Sequence, residues 1–437
     1  MHIQPVGPHV MPPLPRPAPP GGPDDRYEPG PAPSESLRPP SEKPVVGSTR
    51  SFWVWDMAVM PPGFKQVQAT CRAVGPESYL FVDDAVWNRL ATPQAVATLD
   101  RRLHRESPSG SVDPQKGVAA LNNAYFGTPA LGLDGDPKVY VLVTELASFN
   151  GTVLDGYVNP FDALPEREAW ESYQQHSNEA EVVYLNAAAR PIDSDYMQGV
   201  LAHEYQHLCH TARDPEEESW LSEMVAEAAM SVNGYHTDMG HVARHAAHPE
   251  RPLVSQTYVD YGACMLFGTY LLERYGQGFF GPLVANPDKG TASIDSTLRQ
   301  LGHSEGYADL YRDWVVANYA DSRGVTRPGL HYATLDLPPM VEAHRVSTLP
   351  DRFASQLVPS GVEYLRLDNR ESVRLRVTGG AGLELQLMSF DGPRLERAVV
   401  ALDERGEAVL PAGCDRVLAV ANAGPAAAAF ELEFVQV

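Results

Sequence analysis

From Tyr196 to Thr211 the chain reads YMQGVLAHEYQHLCHT, and His203-Glu204-Tyr205-Gln206-His207 inside it is an HExxH motif. The stretch reads as one amphipathic helix. A helix brings residues four apart onto one face, about 6 Å apart along its axis. Two imidazoles at that spacing can share one zinc ion, and the intervening Glu204 lies near enough to act on a water bound there. Five residues thus propose a metal, a nucleophile and a general base together. The next stretch of chain decides whether the proposal holds.

A zinc site of this kind needs a third protein donor and an open fourth position. His210 returns to nearly the same face but stands about 10 Å from His203 along the axis, too far to close the site on a straight helix. No HExxHxxGxxH pattern is present, so the metzincin reading fails, and His210 reads as a surface or supporting histidine. After Arg213-Asp214-Pro215 breaks the first helix, Glu216 to Val232 reads as a second, with acidic residues in its first turn, where they suit the helix dipole. It carries Trp220-Leu221-Ser222-Glu223-Met224-Val225-Ala226-Glu227. Glu223 and Glu227 share one helix face amid apolar neighbours. Two such carboxylates repel each other mildly, and if buried they need a partner, which a cation would supply.

This segment resembles the WLNE segment of gluzincin metallopeptidases, whose glutamate is the third zinc ligand; the matching residue is Glu223. By the same resemblance Glu227 orients a histidine ligand. Ser222 replaces the usual Asn, and the gap from His207 to Glu223 is short for the thermolysin-like group. The likeness extends to the hyicolysin-type bacterial metallopeptidases, through VLAHEYQHL, WLSEMVAEAA, YGACMLFGTYLLERYG, KVYVLVTEL, GYVNPFD, NEAEVVYLN and YADLYRDWVVANYAD. These cover roughly residues 50 to 320 in the same order. The resemblance implies an α+β zincin (thermolysin-like) catalytic domain, with the active-site helix under a mixed sheet. It implies a Zn2+-dependent metalloendopeptidase acting on polypeptide, with His203, His207 and Glu223 on the metal and Glu204 as base. Tyr261 best matches the family's oxyanion donor, with Tyr258 in reserve. In the gluzincin architecture an edge strand pairs with extended substrate, and Glu181 to Asn186 is the candidate. Relatives of this type are exported, which implies a secreted protein.

The chain has 437 residues, 56 acids against 34 bases, and a formal charge of -22. That balance argues against nucleic acid and anionic membrane surfaces as partners. No apolar run reaches about 18 residues, so no transmembrane helix is expected. Residues 1–48 form a Pro-rich leader expected to be disordered. It shows no basic then apolar signal pattern, which leaves a cytoplasmic location as the alternative. Cys71, Cys209, Cys264 and Cys414 lack disulfide-framework spacing and read as small buried residues.

Strands are expected at Ser51–Val59, Tyr79–Val82, Lys138–Leu146 and Glu181–Asn186. Helices are expected at Thr92–Arg105, Pro114–Tyr125, Tyr261–Tyr275, Ser293–Leu301 and Gly306–Tyr319. Asp134-Gly135-Asp136 reads as a turn rather than a calcium loop. The catalytic domain spans 49–345. From 346 to 437, short alternating segments such as VRLRV, LELQLMSF and RVLAVAN signal an all-β sandwich without catalytic residues. The rival from another class is a secreted binding or adhesion protein with a structural zinc site. Glu204 argues against it, since a structural site needs no base. An exopeptidase would want a GxMEN-type motif, and none is present.

Overall fold

The computed structural model describes residues 43–59, 62–148, 153–235, 239–255 and 259–437. Most of the Pro-rich leader, as well as Tyr258, lies outside the described residues. The described chain is mixed α/β, with ten α-helices and three sheets. It divides into two compact units, Met1–Pro215 with Ala229–Thr237, and Glu216–Ala228 with Asp238–Val437.

The first unit is built on β1 (Thr49–Asp56), β2 (Gly63–Val74), β3 (Ser78–Asp83), β4 (Val139–Thr144), β5 (Gly156–Val158) and β6 (Val182–Asn186). Their order is β1-β2-β3-β4-β6-β5. β3, β4 and β6 run parallel, and each is buried along its whole length. Burial on both faces explains why VYVLVT and VVYLN read as unbroken apolar runs. Parallel strands need a long crossover, which α1 (Pro93–His104) and α2 (Val118–Phe126) provide between β3 and β4. The Thr92 hydroxyl caps α1 by accepting the Ala95 N–H at 3.2 Å. The expected edge strand is not an edge: β6 lies between β4 and β5. The outer strand is β5, whose three residues are too few for any periodicity to reveal.

The far side of the sheet is closed by side chains. The Trp53 N–H donates to Asn178 Oδ1 at 2.8 Å and the Trp55 N–H to the Tyr157 hydroxyl at 3.1 Å, while Asn178 Nδ2 donates to the Trp53 carbonyl. Trp55, Tyr157 and Tyr184 stack in series, at 4.8 and 4.1 Å between centroids. Asn178 is itself fixed by Asp162, which accepts the Asn178 N–H and the Tyr184 hydroxyl at 2.6 Å each. The loop is steadied further by α3 (Glu166–Tyr173), whose Glu166 accepts from the His176 ring at 2.7 Å and from the Ser177 N–H. The Asp134-Gly135-Asp136 segment is a turn, with the Asp136 N–H on Asp134 Oδ1 at 2.9 Å. The helix α4 (Asp195–Thr211) packs against β5 and β6.

The second unit holds most of α5 (Ser219–Val232), then α6 (Met239–Ala247), α7 (Tyr261–Tyr275), α8 (Phe280–Val284), α9 (Gly290–Gln300) and α10 (Tyr307–Asp321). Nine strands come after α10: β7 (Glu342–Val346), β8 (Asp351–Leu357), β9 (Val362–Leu367), β10 (Val373–Gly379), β11 (Leu383–Asp391), β12 (Arg394–Val399), β13 (Glu407–Leu410), β14 (Arg416–Asn422) and β15 (Ala428–Gln436). They form sheets ordered β13-β10-β15-β8 and β12-β11-β14-β9-β7, enclosing a core of Leu365, Leu375, Leu418, Leu432 and Phe434. The five-stranded sheet is bonded to α10: the Tyr364 hydroxyl donates to the Val315 carbonyl at 2.7 Å, and Arg312 pairs with Glu384. Among the described residues no helix is long and apolar enough to cross a membrane. Cys71, Cys209 and Cys264 are buried as expected, but Cys414 is exposed; all four are unpaired thiols.

Burial pushes the Asp162 carboxyl up to about 7, against its hydrogen bonds from Tyr184 and Asn178. A folded value above the unfolded one means that folding takes up a proton. The stabilisation is complete below about pH 4 and is lost as pH rises through about 7. The stability of Asp162→Asn relative to wild type should therefore improve between pH 5 and pH 8. Urea unfolding followed by tryptophan fluorescence measures this, and a pH-independent difference would contradict it.

Candidate metal centre

The helix α4 starts where Ser194 accepts the Met197 N–H, with Asp195 in its first turn. Its HExxH segment is buried throughout: His203, Glu204 and His207 expose 1, 2 and 4% of their surface. The i, i+4 spacing sets the two histidine rings 4.8 Å apart and nearly perpendicular, with their Nε2 atoms at 3.1 Å. Glu223 of α5, also buried, completes the group. One ligand atom from each of His203, His207 and Glu223 lies within 4.8 Å of the others. Two imidazoles and a carboxylate so gathered could hold a metal ion.

Each helix is held by contacts the motifs do not announce. Asn122 of α2 donates to the Ala202 carbonyl at 2.8 Å, directly before His203. Asn233 donates both to Asn122 Oδ1 at 2.9 Å and to the Ala229 carbonyl of α5 at 2.8 Å. One chain of buried amides thus runs from the histidine helix to the last turn of the glutamate helix. At the other end of α5, Trp220 is fully buried and its indole donates to Glu218 at 2.7 Å. Along its length α5 meets α7: Cys264 Sγ lies 3.5 Å from the Trp220 carbonyl, and a Cβ at Gly268 would stand 2.7 Å from the Met224 carbonyl. Burial first, then the charges of Glu223, Asp260 and Glu227, push the Cys264 thiol far above its ordinary range.

Glu204 is set against the sheet rather than in the three-residue group. A Cβ at Gly156 of β5 would lie 2.7 Å from Val200 Cγ1, 2.9 Å from the Tyr184 carbonyl and 3.1 Å from Glu204 Cγ. Only glycine lets the strand pass this close to the helix. Glu227 is buried at 1% exposure on the same helix as Glu223. His210 is buried too, not at the surface, and is not one of the three gathered residues. Tyr261 is the first residue of α7, buried, with its ring edge-to-face against His241 at 5.5 Å. Sequence reasoning missed Gly156, Asn122 and Asn233. The glycine in GYVNPFD is the single local hint, because the amide contacts are long-range.

No family model matches the chain, and no curated protein matches it. Among solved structures, the Salmonella Typhimurium periplasmic inhibitor of g-type lysozyme, PliG, is 16% identical; the match covers 22% of this chain and 98% of that one, with a TM-score of 0.18. The pre-peptidase C-terminal domain of a collagenase from Bacillus anthracis is 14% identical, over 22% of this chain and 96% of its own, with a TM-score of 0.19. The IMPa metallopeptidase in complex with T-antigen is 10% identical, over 85% of this chain and 48% of its own, with a TM-score of 0.15. At such scores none of the three supports a reading of this chain, which rests on its own residues.

Glu223→Ala should lose most of any bound metal, measured by mass spectrometry of purified protein at equal concentration; full occupancy would remove Glu223 from the ligand set. Gly156→Ala should cost about 1–3 kcal/mol in urea unfolding through overpacking against α4. An unchanged midpoint would show that strand and helix can separate freely.

Proposed function

We propose that the protein is a zinc-dependent metalloendopeptidase of the gluzincin type, similar to the hyicolysin-type enzymes, cleaving polypeptide substrates. The observation that carries this reading is the convergence of His203, His207 and Glu223 beside a buried glutamate that is not one of them. The donors fit the ion: imidazoles bound tetrahedrally at 2.0–2.1 Å stand roughly 3.3 Å apart, against 3.1 Å between the two Nε2 atoms. Two nitrogens and one oxygen suit zinc over the hard cations, which take oxygen alone.

His203, His207 and Glu223 would hold the metal and leave a fourth position open. When bound, zinc supplies Lewis acidity, lowering the pKa of a water towards about 7 and polarising the scissile carbonyl. The Glu204 carboxylate accepts the proton lost from that water and passes it to the leaving amine nitrogen. Its position is fixed from behind by Gly156, whose missing side chain leaves room for the Glu204 stem. The Tyr261 phenol donates to the carbonyl oxygen as negative charge develops there. The buried setting strengthens these interactions by excluding water. The parallel β4–β6 pair, the outer antiparallel β5 and the helix α4 beside it support a zincin-like frame.

Glu204→Gln keeps the size and the hydrogen-bonding capacity of the side chain but cannot accept the proton. Turnover of an unstructured protein substrate should fall by at least ~100-fold, while metal content stays at the wild-type level. Activity that survives the substitution would remove Glu204 as the base. A metal-loaded wild type that cleaves nothing would favour a binding protein with a structural metal.

A further inference from the structure

The start of α7 carries a second cluster of buried polar groups that the metal chemistry does not use. Asp260 caps the helix, accepting the Ala263 N–H at 3.0 Å. His245 of α6 brings its Nδ1 to 3.7 Å from Asp260, and Arg251 approaches the same carboxylate at 4.0 Å. The two helices close on each other at Gly262, where a Cβ would stand 2.7 Å from the His241 carbonyl carbon and 2.9 Å from His245 Cβ. No other residue allows this approach without moving backbone. The result is the edge-to-face contact of the His241 and Tyr261 rings, at an interplanar angle of 66°.

This first turn of α7 is also keyed to the glutamate helix. Cys264, one turn on from Asp260, is within electrostatic reach of Asp260, Glu223 and Glu227 together. The first turn of α7 thus lies between α5, through Cys264, and α6, and the ring packed on Tyr261 comes from α6. A buried tyrosine keeps two side-chain rotations, and an oxyanion donor is useful only when its hydroxyl is held in one place.

We propose that His241 is a positioning residue for Tyr261: its ring restricts the phenol, and Gly262 is the glycine that lets α6 come close enough to do so. The inference rests on the peptidase reading above. It assigns to α6 a role in turnover rather than in metal binding.

The test uses the full-length, metal-loaded protein and a fluorogenic peptide taken from a cleaved protein substrate. Tyr261→Phe should lower kcat on the order of 100-fold. His241→Ala should lower kcat about tenfold through misplacement of the donor, with KM within twofold and metal content unchanged. His241→Phe keeps a ring against Tyr261 and should recover most of the loss. Groups that act through one another are non-additive, so His241→Ala should cost nothing further in the Tyr261→Phe background. Independent, multiplying losses would overturn the proposal, as would a folded His241→Ala with unchanged kcat. If His241→Ala does not fold, His241→Leu against His241→Phe makes the same comparison: equal rates overturn the proposal and a slower Leu variant supports it. Failure of the parent reading is distinct, because then metal-loaded wild type and Glu204→Gln would be equally inactive.

Discussion

Two imidazole nitrogens held 3.1 Å apart in a buried helix face impose a constraint on everything around them. Either one ring donates to the other, or both turn lone pairs towards a shared cation. The second arrangement needs negative charge close by, since a buried dication beside neutral rings alone is poorly stabilised. Glu223 supplies a carboxylate within 4.8 Å, and Glu227 adds another buried one on the same helix. A cation held there would offset the desolvation of these buried carboxylates. Without such a cation, Glu223 and Glu227, four residues apart on α5, would repel each other.

Much of this was legible in the chain. HExxH at helical spacing, and a second helix with an acid in WLSE, are local patterns whose geometry stems from 1.5 Å of rise per residue. The parallel strands announced themselves as apolar runs, and the sandwich as short alternating segments with turns. Other features were hidden because they depend on residues far apart in sequence. β6 looked like an edge until β5, three residues long, was found outside it. Asn122 and Asn233 are 111 residues apart, and neither has a sequence signature; one asparagine in a helix interior reads as a mild propensity cost. His210, whose helical phase returns it to nearly the face of His203, reads as a surface or supporting histidine, yet both faces of α4 are covered and it is buried. In a helix buried all round, phase no longer distinguishes inside from outside.

Glycines mark three close approaches: Gly156 between β5 and α4, Gly268 between α7 and α5, and Gly262 between α7 and α6. Gly156 lies directly behind the Glu204 stem, Gly262 directly follows Tyr261, and Gly268 faces the α5 backbone one residue after Glu223. A backbone packed against a neighbouring element has few ways to relax, so these points transmit displacement rather than absorb it. This is why substitutions at residues without any chemistry of their own should be felt at Glu204 and Tyr261. Sequence reading favours residues that carry chemistry and passes over those that make room for it.

The side-chain closure of the first unit has a consequence for how the protein behaves in concentrated solution. An outer strand usually offers a ladder of unused donors and acceptors to which another chain can add. On β1, the N–H groups of Trp53 and Trp55 and the Trp53 carbonyl are already engaged by Asn178 and Tyr157. A strand from a second molecule would have to displace these partners and unstack Trp55 from Tyr157. The sheet is thereby guarded against edge-to-edge polymerisation without proline, a bulge or a row of lysines on β1. Loss of the Asn178 amide would expose that ladder, and the earliest symptom would be self-association of an otherwise folded molecule.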